Sequence, residues 1–340
     1  MDNHIHQRFT LTDRSFASGI RREIKKIAEG CGFDSVEIGK IDIIVTELTS
    51  NLVKHTTHGG EILAKPVLHE EKVGLEIICL DNGPGMRNPA RMMEDGVSTA
   101  GSMGEGLGAI KRLSDDFDLY SLFNNGTALL SRLYRGGKKV AIHNPQRKLE
   151  FRSVMVALAG ETVSGDGWTV FQNSDYCTIL VLDGLGHGAA AHAAVQSAIE
   201  AYDSKAKQIP AQALKTIHDA IKRSRGAVGA MAVISKQNNS LAFCGVGNIS
   251  SRLINPEKNS SLIPYNGTLG HALPSQLVDY TFPWNELSML IMHSDGIGTK
   301  WDLQKYPNLI RHDPSIIAAM LYKDNQRKTD DALVIVGKYV

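Results

Sequence analysis

Four strand-end aspartates and one glutamate–asparagine pair hold the residue types that could do chemistry in this sequence. Asp166 lies in SGDGW, and Asp183 closes the apolar run YCTILVL and opens DGLGHG. Asp295 closes SMLIMH in HSDGIG, and Asp330 with Asp331 opens TDDALVIV. One Asp-Gly is usually a turn. Four aspartates at the ends of separate apolar runs are suited to converge on a metal cluster, because hard divalent ions prefer oxygen ligands. Two such ions a few ångströms apart can hold and ionise a water that attacks phosphorus in line. Glu47 and Asn51 are four residues apart, so on a helix they lie one turn above the other. A carboxylate beside a carboxamide at the edge of a buried face could reach into a pocket; two solvated polar residues on an amphipathic helix would look the same locally.

Two glycine clusters follow that pair. DNGPGM (81–86) leaves the apolar run 73–80 through an aspartate, and GSMGEGLG (101–108) runs into a helix-like segment, 107–113. Glycine lets a backbone turn sharply and approach a ligand closely, and a helix amino end can face phosphates. A strand ending in an acid and then glycines is a candidate nucleotide pocket. Two glycine-rich surface turns are the plainer alternative, which the order of the two clusters and the preceding Glu47–Asn51 pair disfavour.

These residues need elements to hold them. Residues 9–27 open with a short strand and continue as a basic helix. Ile41, Ile44, Val45, Leu48 and Leu52 recur at helical spacing and define a core stripe. YRGGKKVAIHNPQRKLE (134–150) is basic, contains Gly-Gly and Asn-Pro, and shows no sustained apolar period, so it reads as a connector. Beyond it the pattern predicts strands over 153–158, 176–182, 228–234, 241–246, 287–292 and 332–336. Helices are predicted over 188–202, 211–222 and 314–321. The resulting class is α+β, with a β core covered by helices in the second half.

Composition bounds the answer. At 340 residues, two domains are the expectation. A net charge of +1 gives no support for nucleic acid or an anionic membrane as partner. The cysteines Cys31, Cys79, Cys177 and Cys244 form no CxxC pair. No apolar run is long enough to span a bilayer, and residues 1–8 lack a signal-peptide core. A reducing, soluble, cytoplasmic setting is expected.

The first half resembles the GHKL ATP-binding domain. Glu47 and Asn51 in ELTSN, Asp81, Gly83 and Gly85 in DNGPGM, Gly104 to Gly108, and Asn125-Gly126-Thr127 stand in that family's order. It is most similar to the serine kinases of bacterial partner-switching systems, and MEDGVSTAGSMGEGLGAIKRLSDDFDLYS looks like a switch kinase that phosphorylates STAS-domain proteins. The resemblance implies ATP with Mg²⁺: Asn51 on the ion, Asp81 on the adenine amino group, and Gly83 and Gly85 at the base. It further implies Gly104, Gly106 and Gly108 as the phosphate lid, Thr127 on the adenine side, and Glu47 as the general base that takes the target hydroxyl proton. Glu105 departs mildly from the pattern. His55 and His58 read as surface or capping residues.

The second half resembles the manganese- or magnesium-dependent PPM phosphatases of the SpoIIE-type branch. SGDGW, DGLGHG, RGAVGAMAV, SDGIG and DDALVIV all fall in family order. The resemblance implies two Mn²⁺ or Mg²⁺ ions, with Asp183 and the Gly184 carbonyl at the bridging site and Asp166, Asp295 and Asp330 as further ligands. Asp330 is preferred over Asp331, which becomes its neighbour behind the ligand. His187 could assist water or substrate, or cap the next helix.

The two resemblances imply a GHKL α/β sandwich at 1–137, a linker at 138–150, and a PPM β-sandwich flanked by helices (αββα) at 151–340. The function they imply is a bifunctional switch regulator, kinase and phosphatase, acting on a STAS-domain protein. A sigma-factor regulator or another switch protein is a further partner, and a homodimer through the kinase half is a further expectation. The alternative is a phosphatase whose first half only binds ATP and docks a protein.

Overall fold

Among the described residues, antiparallel pairing accounts for all three sheets. The computed structural model describes residues 5–57, 59–69, 72–93, 106–137, 147–202, 209–256 and 258–340. The chain divides into two compact units, one made of Met1–Pro145 and Asp302–Lys323, the other of Gln146–Trp301 and Asp324–Val340. Among the described residues no helix is long and apolar enough to cross a membrane.

The first unit runs β1 (Gln7–Leu11), α1 (Ala17–Gly30), α2 (Ser35–His55), β2 (Gly60–His69), β3 (Lys72–Asp81), α3 (Pro89–Met92), α4 (Gly106–Leu113), β4 (Asp116–Leu122) and β5 (Gly126–Tyr134). Its one sheet has the order β1-β2-β3-β5-β4. A capping box starts α2: Asp34 accepts from the Glu37 amide while the Glu37 carboxylate accepts from the Asp34 amide. The stripe Ile41, Ile44, Val45, Leu48 and Leu52 is buried as its spacing predicts, against Ile62, Ala64, Leu75, Ile77 and Cys79 of the sheet. The alternate strand residues face the other way, and there the segment Asp302–Lys323 of the same unit meets them. Arg132 donates from Nε to Glu76 Oε2 (2.7 Å) and forks onto Asp313 (2.8 and 2.9 Å). Ser315 Oγ donates to Glu76 Oε2 (2.9 Å).

The second unit runs β6 (Leu149–Val156), β7 (Asp166–Gln172), β8 (Tyr176–Gly184), α5 (Ala189–Ala201), α6 (Pro210–Ala220), β9 (Ala227–Ser235), β10 (Ser240–Val246), β11 (Ser250–Ile254), β12 (Asn259–Leu262), β13 (Tyr280–Pro283), β14 (Met289–His293) and β15 (Ala332–Tyr339). A final helix, α7 (Pro314–Asn325), comes between β14 and β15 in sequence, and most of it belongs to the first unit. One sheet has the order β13-β10-β9-β8-β7 and the other β12-β11-β14-β15-β6. Helices α5 and α6 bury Val195, Ala198, Leu214 and Ile217 against Leu180, Leu182, Met231 and Val233. Small residues at Ala191, Ala194 and Ala198 let α5 lie close to the strands beneath it. The α+β class and the helix-flanked sheets match the sequence expectation. The sequence pattern omitted β7 and β11 to β13, which are short or mixed in polarity.

Candidate nucleotide and metal sites

Helix α2 organises the first site. Glu47, Asn51 and His55 stand at four-residue steps, so they line one side of it. The start of α4 comes up against the first two: a Cβ on Gly106 would lie 2.6 Å from Glu47 Oε2 and 3.8 Å from Asn51 Oδ1. One further turn along, a Cβ on Gly83 would lie 3.1 Å from the His55 carbonyl and 2.9 Å from Asp81 Oδ1. Asp81 ends β3 in register with Thr127 and accepts the Gly83 amide (2.7 Å). Burial raises its carboxyl pKa, while the Gly83 amide, Lys323 and Thr127 offset this in part.

The structure therefore gathers Glu47, Asn51 and Gly106 at one end of this line and Asp81, Gly83 and Thr127 at the other. Gly85 has φ +63° and would clash with the Leu122 carbonyl if it carried a Cβ, so it shapes the turn after Asp81. Gly108 is buried in α4. Gly104, Glu105 and His58 lie outside the described residues. Sequence inspection missed Lys323, whose Nζ donates to Asn82 Oδ1 (3.0 Å) and to the Asn125 carbonyl (2.8 Å). Nothing near Asp81 in sequence points to a lysine so far along the chain.

The second site is a group of carboxylates at strand ends. Asp166 and Asp183 are direct cross-strand partners on β7 and β8, with Cβ atoms typically about 5 Å apart in such pairs. Asp166 is buried, accepts Ser294 Oγ at Oδ2 (2.7 Å), and its pKa rises well above the carboxylate range through burial and the Asp183 charge. Burial and the charges of Asp295, Asp330 and Asp331 push Asp183 up to about 8. Asp295 Oδ2 accepts from Asn248 Nδ2 (2.9 Å). Both Asp331 oxygens are occupied by backbone amides, of Leu158 and Gly165 (2.7 Å each). Asp330 Oδ1 accepts the Asp331 amide (2.9 Å). Gly184 cannot carry a side chain, since a Cβ would lie 2.6 Å from the Ala191 carbonyl.

No three metal-binding side chains converge as a closed cation cage among the described residues. The donor set still fits hard divalent ions. Every donor is an oxygen, and the neighbouring charges that raise Asp166 and Asp183 are those of other aspartates: Asp183, Asp330 and Asp331 for the first, Asp295, Asp330 and Asp331 for the second. Burying like charges together is unfavourable unless a cation joins them. His187 is exposed and its Nδ1 lies 2.8 Å from Glu161 Oε1, so that nitrogen is already engaged. The supporting residues Ser294, Asn248 and Ser164 escaped sequence inspection, because a serine or asparagine near a strand end carries no pattern of its own.

Comparison with known proteins bears on both sites. Residues 9–132 match the histidine kinase-like ATPase domain family, and residues 173–337 match the stage II sporulation protein E (SpoIIE) family. The serine/threonine-protein kinase RsbT of Bacillus subtilis (strain 168) is 37% identical over 105 residues, covering 31% of this chain and 78% of the kinase. A structure solved in work on the bacterial stressosome as a modular system controlling secondary messenger signalling superposes with a TM-score of 0.53 at 26% identity. It covers 56% of this chain and 100% of that one. RsbX in complex with magnesium shares its fold with 57% of this chain and is covered over 99% of its own length, with a TM-score of 0.51 and 21% identity.

Proposed function

The chain belongs to the family of the serine/threonine-protein kinase RsbT and carries after that domain a SpoIIE-type protein phosphatase domain of the PPM fold; from this premise we propose that it both adds and removes phosphate on serine or threonine of a STAS-domain switch protein. The observation that carries the kinase half is the approach of Gly106 to the Glu47–Asn51 pair. A protein that only bound nucleotide would have no use for a carboxylate at the phosphate end of the pocket.

In the kinase half, Asp81 accepts from the adenine amino group, with Thr127 beside it and Gly83 leaving room for the base. Asn51 would hold Mg²⁺ on the ATP phosphates, Gly106 and Gly108 would bring backbone close to them, and Gly104 is proposed as the third glycine of that lid on its place in the sequence. Glu47 takes the proton of the target hydroxyl as it attacks. Phosphoryl transfer depends mainly on positioning and charge neutralisation, and a positioned base adds roughly 10²–10⁴-fold.

In the phosphatase half, Asp183, the Gly184 carbonyl, Asp166, Asp295 and Asp330 would hold one or two Mn²⁺ or Mg²⁺ ions. When bound, these supply Lewis-acid charge at the phosphoryl oxygens and lower the pKa of water. The engagement of both Asp331 oxygens with amides supports Asp330 as the ligand and Asp331 as the residue that fixes the loops around it. Ser294 and Asn248 orient Asp166 and Asp295, the role that neighbours of metal ligands take. A reducing cytoplasm suits the unpaired, buried Cys79, Cys177 and Cys244.

Labelled ATP offered together with STAS-domain proteins tests the reading. Transfer of label to a serine or threonine, followed by Mn²⁺-dependent release as inorganic phosphate, is the expected result. Tight ATP binding with no transfer to any of them would leave only a docking module in the first half.

A further inference from the structure

One arginine that faces the DGLGHG loop has no role in the chemistry above. Arg225 stands in the turn between α6 and β9, at the head of RGAVGAMAV. The turn that carries it is pinned at Arg225 and at the following Gly226. The Leu185 amide donates to the Gly226 carbonyl (3.1 Å), the Gly226 amide donates to Ser224 Oγ (3.0 Å), and His271 Nε2 lies 2.7 Å from the Arg225 carbonyl. The side chain turns to the DGLGHG loop, three residues beyond Asp183: Nη1 lies 3.1 Å from the point a Cβ on Gly186 would occupy. Gly186 has φ +81° and no side chain, so the guanidinium rests over bare backbone. Among the described residues that guanidinium has no carboxylate or carbonyl partner. The neighbouring His187 is engaged with Glu161.

An exposed arginine turned to the loop that follows Asp183, and paired with no carboxylate, keeps its fork of donors available to a ligand. A phosphorylated serine or threonine is a dianion that must enter a region already rich in negative charge. The planar guanidinium matches phosphate oxygens in geometry as well as charge. We infer that Arg225 captures the phosphoryl group of the phosphoserine or phosphothreonine substrate at the acid-cluster site. This inference rests on the phosphatase reading of that site.

The test uses the full chain with saturating Mn²⁺ in four forms: wild type, Arg225→Ala, Arg225→Lys and Arg223→Ala. The last removes the same charge from an exposed position two residues away. Hydrolysis of para-nitrophenyl phosphate and of a phosphoserine peptide gives KM and kcat. Calorimetry with inorganic phosphate gives binding without turnover, and Mn²⁺ titration with thermal melting reports the site and the fold. Arg225→Ala is expected to raise KM and weaken phosphate binding by about 10- to 100-fold, the effect of losing a charge-assisted hydrogen bond. Mn²⁺ affinity and melting temperature should not change, Arg225→Lys should recover part of the loss, and Arg223→Ala should match wild type. Phosphate affinity and KM in Arg225→Ala within twofold of wild type would overturn the assignment. So would an equal loss in Arg223→Ala, which would mark a general field in place of a contact. A wild-type chain that hydrolyses neither substrate with Mn²⁺ would remove the phosphatase reading itself, an outcome distinct from normal turnover with an indifferent Arg225.

Discussion

Asp183 is held in a fold that disfavours its charged form when no cation is bound. Its folded pKa of about 8 lies above the ordinary 3.8, so the folded chain binds a proton that the unfolded chain releases between those values. Metal-free stability must therefore fall as pH rises from about 4 to about 8 and stay low above that. A shift of this size corresponds to an upper bound of roughly 6 kcal/mol. With metal chelated, Asp183→Asn should melt several degrees above wild type at pH 9, and the gap should narrow on acidification and close near pH 4; excess Mn²⁺ should reverse the order. Melting curves across pH with and without Mn²⁺ check this, and a pH-independent gap would contradict the electrostatic account. In the first unit, Glu47→Ala should keep ATP affinity within a few-fold while phosphotransfer drops roughly 10²–10⁴-fold. Asp81→Asn should weaken ATP binding by about 10-fold or more through loss of an acceptor. A fluorescent nucleotide titration beside a transfer assay separates the two. A Glu47→Ala chain that transfers phosphate at the wild-type rate would remove Glu47 from its role. Asp183 and Asp295 were legible because each closes an apolar run beside a glycine, Asp330 because it opens one, and Asp166 through the turn-forming SGDGW around it. Their helpers were not, since Ser294 reaches Asp166 across 128 positions of sequence and Asn248 reaches Asp295 across 47.

The elements that matter most are those whose partners are distant in sequence. In α7 every residue from Pro314 to Tyr322 is buried; an all-round apolar pattern says that a helix is covered and leaves open by what. The segment Asp302–Lys323 clusters with the first unit, where Asp313 and Ser315 meet the buried Arg132 and Glu76. The expectation that everything past residue 151 acts as one domain carried no information on these contacts. Removing one member of a buried ion pair costs about 3–5 kcal/mol when the other is left alone. Arg132 keeps Glu76, so Asp313→Ala should cost somewhat less, about 2–3 kcal/mol, and should expose 302–323 to limited proteolysis. Arg132→Met combined with Asp313→Ala should cost less than the sum of the two singles, because they share one interaction. Urea unfolding of the three variants measures this; additive losses would show that the two side chains act independently. A cut at residue 146 separates 302–323 from Arg132 and Glu76, so fragments made there should melt below the full chain.

At the scale of the whole molecule, the proposed function puts opposite chemistries at two sites whose residues do not overlap. Glu47, Asn51 and Asp81 lie on α2 and β3; Asp166, Asp183, Asp295 and Asp330 lie at strand ends of the other unit or beside them. A cycle built this way sets the phosphorylation level of its target by the ratio of two rates, and a change at either site moves that level in a known direction. The central claim is that both sites act on one target. Phosphate on a STAS-domain target, followed over time with ATP and Mn²⁺ in wild type, Asp183→Asn and Glu47→Ala, tests it most directly. The account predicts a higher plateau than wild type for Asp183→Asn, no phosphorylation for Glu47→Ala, and loss of pre-loaded phosphate with Glu47→Ala at the wild-type rate. An Asp183→Asn plateau equal to wild type, in a chain whose hydrolysis of an aryl phosphate is abolished, would contradict it.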